Sequence, residues 1–155
     1  MWFGNGGRDR NKHSKIRKRS SLLVPVAVAC DSSDIGCGAV LYHIVGEGEL
    51  KPVMYVSKAY TESQKKWSTF EKLFYAALFA VTRLHEYLAG RHFYLFSDHK
   101  PVVQFLQKKT PTITTPRILR GLLIPGSYAM TPLYRPGSQN CDADNLSRAI
   151  AAGAC

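Results

Sequence analysis

The sequence predicts an α/β protein in which helices flank a mixed, five-stranded sheet. Three apolar, β-prone segments follow one another between residues 22 and 59, with only short turns between them. A helical pattern then begins near residue 70, and two further strand-like segments each follow a helical one. A helix between two strands is typical of a crossover connection, so the sheet must contain both antiparallel and parallel neighbours.

The first three strands form an antiparallel meander in this interpretation. Residues 22–30 are apolar, and Pro25 belongs among the first residues of the strand because it has no amide hydrogen to donate. Gly36 and Gly38 mark a turn before the second strand, "AVLYHIV". "GEGE" is a strong turn signal, and "KPVMYVSKA" follows it as the third strand.

A long amphipathic helix comes next. "TESQ" at 61–64 and "STFE" at 68–71 both match the capping box, in which a hydroxyl and a Glu or Gln satisfy opposing backbone amides. Gly90 should end the helix. Its apolar side chains share one face, at positions 70, 73, 74, 77, 78, 81, 84 and 88.

The remaining elements alternate between helix and strand. "HFYLFS" at 92–97 is the fourth strand, and "DHKPVVQFLQ" is a helix with Pro101 in its first turn. "TPRILRGLLI" at 115–124 is a further helix that Pro125 and Gly126 should end. "AMTPLYR" is the fifth strand, which Pro132 confines to a sheet edge, and "DADNLSRAIAA" is a short last helix.

Charge divides the chain into a basic tail and a mildly basic domain. The formal net charge is +10, and residues 1–21 hold seven Lys or Arg against one Asp. We expect residues 1–21 and 151–155 to be disordered and 22–150 to form one domain. "KIRKR" in the tail suits a nuclear signal, a phosphate-binding arm or a solvated leader.

The chain shows no features of secretion or membrane insertion. No apolar run approaches the ~18 residues of a membrane helix, and the tail lacks the apolar centre of a signal peptide. We therefore expect an intracellular protein, cytoplasmic or nuclear, with no membrane partner. The cysteines show neither CxxC pairing nor zinc spacing, so we interpret all four as small buried hydrophobic residues or free thiols: Cys30, Cys37, Cys141 and Cys155.

Four carboxylates lie where a metal site could form. Asp31 and Asp98 end strands, Glu71 lies at the margin of the long helix's buried face, and Asp144 is in the first turn of the last helix. Such a cluster is costly unless hard cations such as Mg²⁺ or Mn²⁺ neutralise it. Each residue also has a structural interpretation: an Asx-turn, a capping box, a helix N-cap and a helix-dipole partner, respectively. Spacing alone leaves both interpretations open.

The sequence motifs around these carboxylates resemble those of a known family. "CDSSDIGCGAVLYH", "WSTFEKLFYAALFAV", "FYLFSDHKPV" and "YRPGSQNCDADNLSR" occur in that order within residues 22–148. The chain resembles the ribonuclease H domain of reverse transcriptases from LTR retrotransposons of the Gypsy/Ty3 type. It departs from that pattern at Cys30, where Thr is usual, at Leu73, where a second Glu is usual, and at the prolines 125 and 132.

The resemblance implies a fold, an activity and a ligand set. The fold would be ribonuclease H-like, with strand order 3-2-1-4-5 and strands 1, 4 and 5 parallel. The activity would be metal-dependent hydrolysis of the RNA strand of RNA/DNA hybrids, as part of a retrotransposon reverse transcriptase whose polymerase domain is a possible partner. Two Mg²⁺ or Mn²⁺ ions would be held by the family's acidic residues, which fall on Asp31, Glu71, Asp98 and Asp144.

Basic residues near these acids are candidates for substrate binding. His99 and Lys100 directly follow Asp98, Arg135 precedes a Pro-Gly turn, and Arg148 lies in the last helix. The alternative is a decayed, non-catalytic nucleic-acid-binding domain of the same fold. We expect the chain to be a piece of a polyprotein, a decayed insertion or a separately expressed domain. An integrase-like strand transferase and a purely structural domain are the other hypotheses.

Overall fold

A meander of three antiparallel strands forms one half of the sheet. The computed structural model of the chain describes residues 23–108 and 115–139. Strand β1 begins directly after Pro25, as the missing amide hydrogen of proline predicts. A register shift between Leu41 and Tyr42 marks an irregularity opposite the third strand. The strands are β1 (Val26–Ser32), β2 (Gly36–Val45) and β3 (Glu49–Ala59).

Two parallel strands complete the sheet. Strand β4 (Phe93–Ser97) pairs in parallel with β1, and β5 (Met130–Tyr134) pairs in parallel with β4. The strand order is β3-β2-β1-β4-β5, which confirms the predicted order. Pro132 lies in β5 at one edge of this sheet, as predicted, because an edge strand tolerates a missing ladder donor.

The long helical pattern contains a break that the sequence analysis did not predict. Apolar spacing predicted one helix to Gly90, but helix α2 (Thr69–Arg83) ends at Leu84 and a short helix follows it. Leu84 and Leu88 are both fully buried, so the break redirects the chain while both side chains stay in the core. The helices in this part are α1 (Glu62–Lys65), α2 and α3 (His85–Leu88).

A second break divides the helix predicted at 115–124. It is observed as α5 (Pro116–Gly121) and α6 (Leu123–Gly126), which follow α4 (Lys100–Gln107). Pro125 has no amide hydrogen to donate to Gly121, so a continuous helix would lose that bond. The chain therefore breaks at Leu122, and the second segment ends at Gly126 as predicted. The predicted last helix lies outside the described residues.

The two faces of the sheet carry different clusters. Val28 and Cys30 of β1 pack with Ala77, Ala80 and other buried side chains in the cluster that α2 covers. A second cluster on the other face contains Ala29, Val40 and Tyr42, with Leu50 and Phe96 packed against it. Side chains alternate along a strand, so Asp31 lies on the same face of β1 as Ala29.

Candidate functional site

Asp31 lies at the carboxyl end of β1, and Asp98 directly follows the carboxyl end of β4. The parallel register pairs Val26 with Phe93 and continues to Ala29 with Phe96. Extending the same offset by two residues brings Asp31 level with Asp98, which directly follows the last residue of β4. Asp31 is only 6% exposed, and its Oδ1 accepts a hydrogen bond from its neighbour's backbone N–H at 2.7 Å. The arrangement of these two aspartates as metal ligands stays a prediction.

The helix N-cap interpretation of Asp98 is wrong, whereas the Asx-turn interpretation of Asp31 stays a prediction. The turn after β1 is closed by Ser33, whose N–H donates to the Gly36 carbonyl at 2.8 Å and whose Oγ accepts from the Gly36 N–H at 3.2 Å. The N-cap of α4 is His99, without a side-chain cap bond, so Asp98 does not cap that helix.

The short 3₁₀ turn after β5 approaches the carboxylate of Asp98. A Cβ added at Gly137 would stand 3.3 Å from Asp98 Oδ2. The turn spans Gly137–Gln139 and begins at the glycine of the predicted Pro-Gly turn. A glycine at this position therefore leaves room beside the carboxylate.

Glu71 is fully engaged with protein groups. Its side chain closes the capping box of α2: Oε2 accepts from the Ser68 N–H at 3.2 Å, and Ser68 Oγ accepts from the Glu71 N–H at 3.2 Å. Its Oε1 accepts from the Arg117 guanidinium at 2.9 Å and from the Thr115 hydroxyl at 3.3 Å. The capping interpretation of Glu71 is therefore confirmed, together with an ion pair that was not predicted.

These contacts favour the charged form of Glu71. Partial burial alone would raise the pKa of this carboxyl group. The backbone N–H of Ser68, the Arg117 guanidinium and the hydroxyl groups of Thr115 and Ser68 outweigh that effect. The net pKa of Glu71 consequently lies below its ordinary value, so the side chain is an anion at neutral pH.

The predicted metal ligands come together only in part. Within 23–108 and 115–139, no three His, Cys, Asp or Glu side chains are grouped in a way that could hold a metal ion. Asp31 lies in β1 and Asp98 directly follows β4, whereas Glu71 lies in the first turn of α2 and contacts Arg117. Asp144 lies outside the described residues. The neighbouring aspartate oxygens are nevertheless the hard donors that Mg²⁺ or Mn²⁺ prefers, so this donor pair fits such an ion.

Three of the predicted substrate-binding residues surround the ends of β4 and β5. Lys100 Nζ lies 4.8 Å from the ring centroid of Tyr134, and the Arg135 guanidinium lies 5.5 Å from that of Phe96. The backbone N–H of Arg135 donates to the carbonyl that ends β4, at 3.0 Å. The His99 ring lies 6.3 Å from that of Phe70. Arg148 lies outside the described residues.

Two of these side chains have buried nitrogens with open hydrogen-bonding capacity. His99 Nδ1 and Arg135 Nη1 are buried and have no hydrogen-bond partner in the part of the chain that the structure describes. Buried polar groups normally find a partner, so these nitrogens are available to a group that lies outside the described residues.

Sequence analysis missed the contribution of the first turn of α5. Arg117 and Thr115 reach Glu71 across 46 and 44 residues of sequence, respectively. Arg117 also lies over Trp67, with its guanidinium carbon 4.2 Å from the ring centroid. No local pattern signals this contact, because it depends on how α5 packs against the start of α2.

The architecture places the protein in a known structural class: it has the ribonuclease H fold. The N-terminal ribonuclease H domain of a Mycobacterium tuberculosis protein matches with a TM-score of 0.64 at 16% identity, covering 86% of this chain and all of that one. Ribonuclease H1 of Halobacterium salinarum matches with a TM-score of 0.59 at 14% identity, covering 83% of this chain and 98% of that one.

Family comparison then makes the assignment more specific. The model of the RNase H-like domain found in reverse transcriptase matches residues 23–124, so the chain belongs to that family. The Drosophila melanogaster Pol polyprotein of transposon 412 is 33% identical over 121 residues, covering 78% of this chain and 10% of the polyprotein. A transposon Tf2 polyprotein of Schizosaccharomyces pombe is 27% identical over 127 residues, covering 81% and 10%.

These comparisons confirm the resemblance to Gypsy/Ty3-type reverse transcriptases. The Pol polyprotein of the Drosophila transposon gypsy itself is 28% identical over 134 residues, covering 86% of this chain and 12% of the polyprotein. The chain thus spans about a tenth of the length of these relatives. In the described part of the chain, no helix has both the length and the apolar character required to cross a membrane.

Proposed function

We propose that this chain is a ribonuclease H that hydrolyses the RNA strand of RNA/DNA hybrids as part of a retrotransposon reverse transcriptase. The proposal is supported by the positions of Asp31 in β1 and Asp98 directly after β4, at the carboxyl ends of two neighbouring parallel strands in a chain of this family. Ligands of open α/β sheets bind beyond the carboxyl ends of the strands, which is where this pair lies.

The proposal includes two divalent cations, Mg²⁺ or Mn²⁺. Asp31 and Asp98 would hold them, and Glu71 and Asp144 are the further ligands that the sequence predicts. Bound ions of this kind lower the pKa of a water molecule and stabilise the charge on the leaving oxygen of a phosphodiester.

The surrounding basic side chains would bind and orient the substrate. Lys100 and Arg135 each lie over an aromatic ring, Tyr134 and Phe96, which limits the positions that their charged groups adopt. Arg135 presents a buried Nη1 that the described residues leave unpaired, and a phosphate oxygen is a suitable acceptor for it. These groups would place the phosphodiester backbone beside Asp98, while the 2′-hydroxyls of RNA distinguish it from DNA.

A polymerase domain is the proposed protein partner. The curated relatives are Pol polyproteins, of which this chain spans about a tenth. A foamy viral protease-reverse transcriptase, solved in complex with RNA/DNA hybrid, matches with a TM-score of 0.56 at 17% identity, covering 87% of this chain and 19% of that one. We infer that a polymerase domain holds the hybrid while the present domain cleaves it.

Cleavage of a labelled RNA/DNA hybrid by the purified chain tests the proposed function. The parent should cleave the RNA strand with Mg²⁺ or Mn²⁺ and lose cleavage when the ion is chelated. Asp98→Asn should reduce the rate at least about a hundredfold, because it removes a charge next to the reacting phosphate. Asp34→Asn is the matched control, since Asp34 is an exposed acid whose recorded partner is Lys72.

The outcomes separate the proposal from its alternative. Equal rates in the parent and Asp98→Asn would contradict the assignment of the site. A folded parent that binds the hybrid but cleaves nothing, even when a polymerase domain is supplied, would instead support a decayed nucleic-acid-binding domain.

A further inference from the structure

Arg117 donates a hydrogen bond to a carboxylate oxygen of Glu71, a residue that the proposed function takes as a metal ligand. Its Nη1 lies 2.9 Å from Glu71 Oε1, and Thr115 donates its hydroxyl to the same oxygen at 3.3 Å. The other oxygen, Oε2, accepts from the backbone and side chain of Ser68. Both oxygens of Glu71 are therefore bonded to protein donors before any ion arrives.

The position of Arg117 is held by packing as well as by charge. Its guanidinium carbon lies 4.2 Å from the ring centroid of Trp67, and Trp67 in turn meets Tyr75 edge to face at 5.6 Å. The side chain of Arg117 is 49% exposed, whereas that of Glu71 is 13% exposed. The Arg117 side chain can therefore move away from Glu71 into solvent. The less exposed Glu71 can take a new partner only if it gives up one of its present hydrogen bonds.

The helix that carries Arg117 is itself packed tightly. A Cβ added at Gly121, at the end of α5, would stand 2.6 Å from Leu78 and 2.9 Å from Phe74 on α2. The backbone of α5 thus lies close against α2. Release of Arg117 would consequently be a movement of its side chain away from Trp67, not a displacement of the helix.

We propose that Arg117 and a divalent cation compete for Glu71, so that metal binding releases Arg117 from its position over Trp67. This inference rests on the proposed function, because it takes Glu71 to be one of the metal ligands. A guanidinium and a metal ion each neutralise the same carboxylate, and Oε1 cannot accept both at contact distance. The ion pair thus keeps the charge of Glu71 compensated in the absence of metal and lowers the affinity of the site for it.

Calorimetric titration with Mg²⁺ and Mn²⁺, without any nucleic acid, tests the competition. Arg117→Gln removes the charge and keeps two of the three methylene groups, and it should bind the ion about three- to tenfold more tightly than the parent. Arg120→Gln, an exposed residue on the same helix, should bind like the parent. Arg117→Ala is a second variant, and circular dichroism verifies that each variant is folded.

Fluorescence supplies an independent readout. Trp2 and Trp67 are the two tryptophans, so Trp2→Phe leaves Trp67 as the single reporter. Metal should change the emission of Trp67 with the midpoint found by calorimetry, and this change should be absent in Arg117→Gln, where no guanidinium leaves the ring.

The results distinguish this inference from the proposed function. Tighter binding by the Arg117 variants, with loss of the fluorescence change, supports competition. Equal or weaker binding by folded Arg117 variants, with normal binding by the parent, would overturn the competition and leave the metal-dependent function intact. Absence of metal binding in the parent and in every variant would overturn both.

Discussion

At the scale of single residues, Glu71 shows how one side chain can satisfy two interpretations. Its capping box with Ser68 is confirmed, and the same side chain pairs with Arg117. Its role as a metal ligand stays a prediction. A carboxylate that begins a helix and also lies near a charged site is stabilised by the helix dipole, by its cap and by its cation, so one interpretation does not exclude the other.

The buried thiols of β1 and β2 make a prediction about alkaline stability. Burial raises the pKa of Cys37 to about 11, and burial also raises that of Cys30. Thiols in the unfolded chain ionise near pH 8.5, so the stabilising effect is complete below that pH and is lost as the pH rises toward 11. Each thiol should cost up to about 1.4 kcal/mol of unfolding free energy per pH unit above 8.5.

Urea unfolding between pH 7 and 10 measures this effect. The free energy of unfolding of Cys37→Ala should fall less steeply with pH than that of the parent. Identical slopes would contradict the assignment of Cys37 as a thiol kept neutral by burial. Cys141 and Cys155 lie outside the described residues, and alkylation of the native chain followed by mass spectrometry would separate them from the two buried thiols.

At the scale of elements, strands were easier to predict than the ends of helices. Alternation and turn residues located all five strands, and both capping boxes start helices where predicted. The helix breaks at Leu84 and Leu122 were not predicted, because the apolar residues on either side of each break keep the helical period. The spacing of apolar residues indicates which side chains are buried. It does not indicate a change of chain direction between two buried helical segments.

The contact between α5 and α2 predicts a destabilising substitution. Gly121→Ala adds a methyl group where Phe74 and Leu78 leave no room for it. Phe74 is buried and packs against Phe105, so its ring has little freedom to move away. We expect a loss of about 1–2 kcal/mol of unfolding free energy after the small helix-propensity gain of alanine is subtracted.

Chemical denaturation measures the loss at Gly121. Gly126→Ala serves as the control because nothing lies within 4 Å of a Cβ at that position. Stabilities that agree between Gly121→Ala and the parent would show that the two helices are not packed as closely as described.

At the scale of the whole molecule, the charge of the basic tail leads to a prediction about the binding of an RNA/DNA hybrid. Residues 1–21 lie outside the described residues, so their expected disorder is untested. Their seven Lys or Arg would contribute phosphate contacts to hybrid binding. Removing the tail should flatten the slope of log affinity against log salt concentration by about one for each lost contact.

Binding measured with Asp98→Asn in the presence of Ca²⁺ avoids cleavage during the titration. A chain that keeps its tail but has the seven Lys or Arg of residues 1–21 replaced by Gln should show the same salt slope as the truncated chain. The effect depends on the charge of the tail and not on its length. A salt slope that does not change on truncation would exclude the tail as a phosphate-binding arm.

The sequence by itself determined the element order, the edge position of Pro132 and the two aspartates at strand ends. Each depends on a local rule: alternation, the missing donor of proline, or the residue that follows a buried strand. The sequence motifs shared with the family implied the strand order, and the fold confirms that order.

Tertiary structure alone decided how the site is arranged. The approach of Gly137 to Asp98 and the contacts of Arg117 with Glu71 and Trp67 join residues that are far apart in sequence. Such contacts depend on which surfaces pack together after all elements have formed, and no local pattern encodes them. The carboxylates were therefore predictable as residues, whereas the cation that engages Glu71 became visible only in the folded chain.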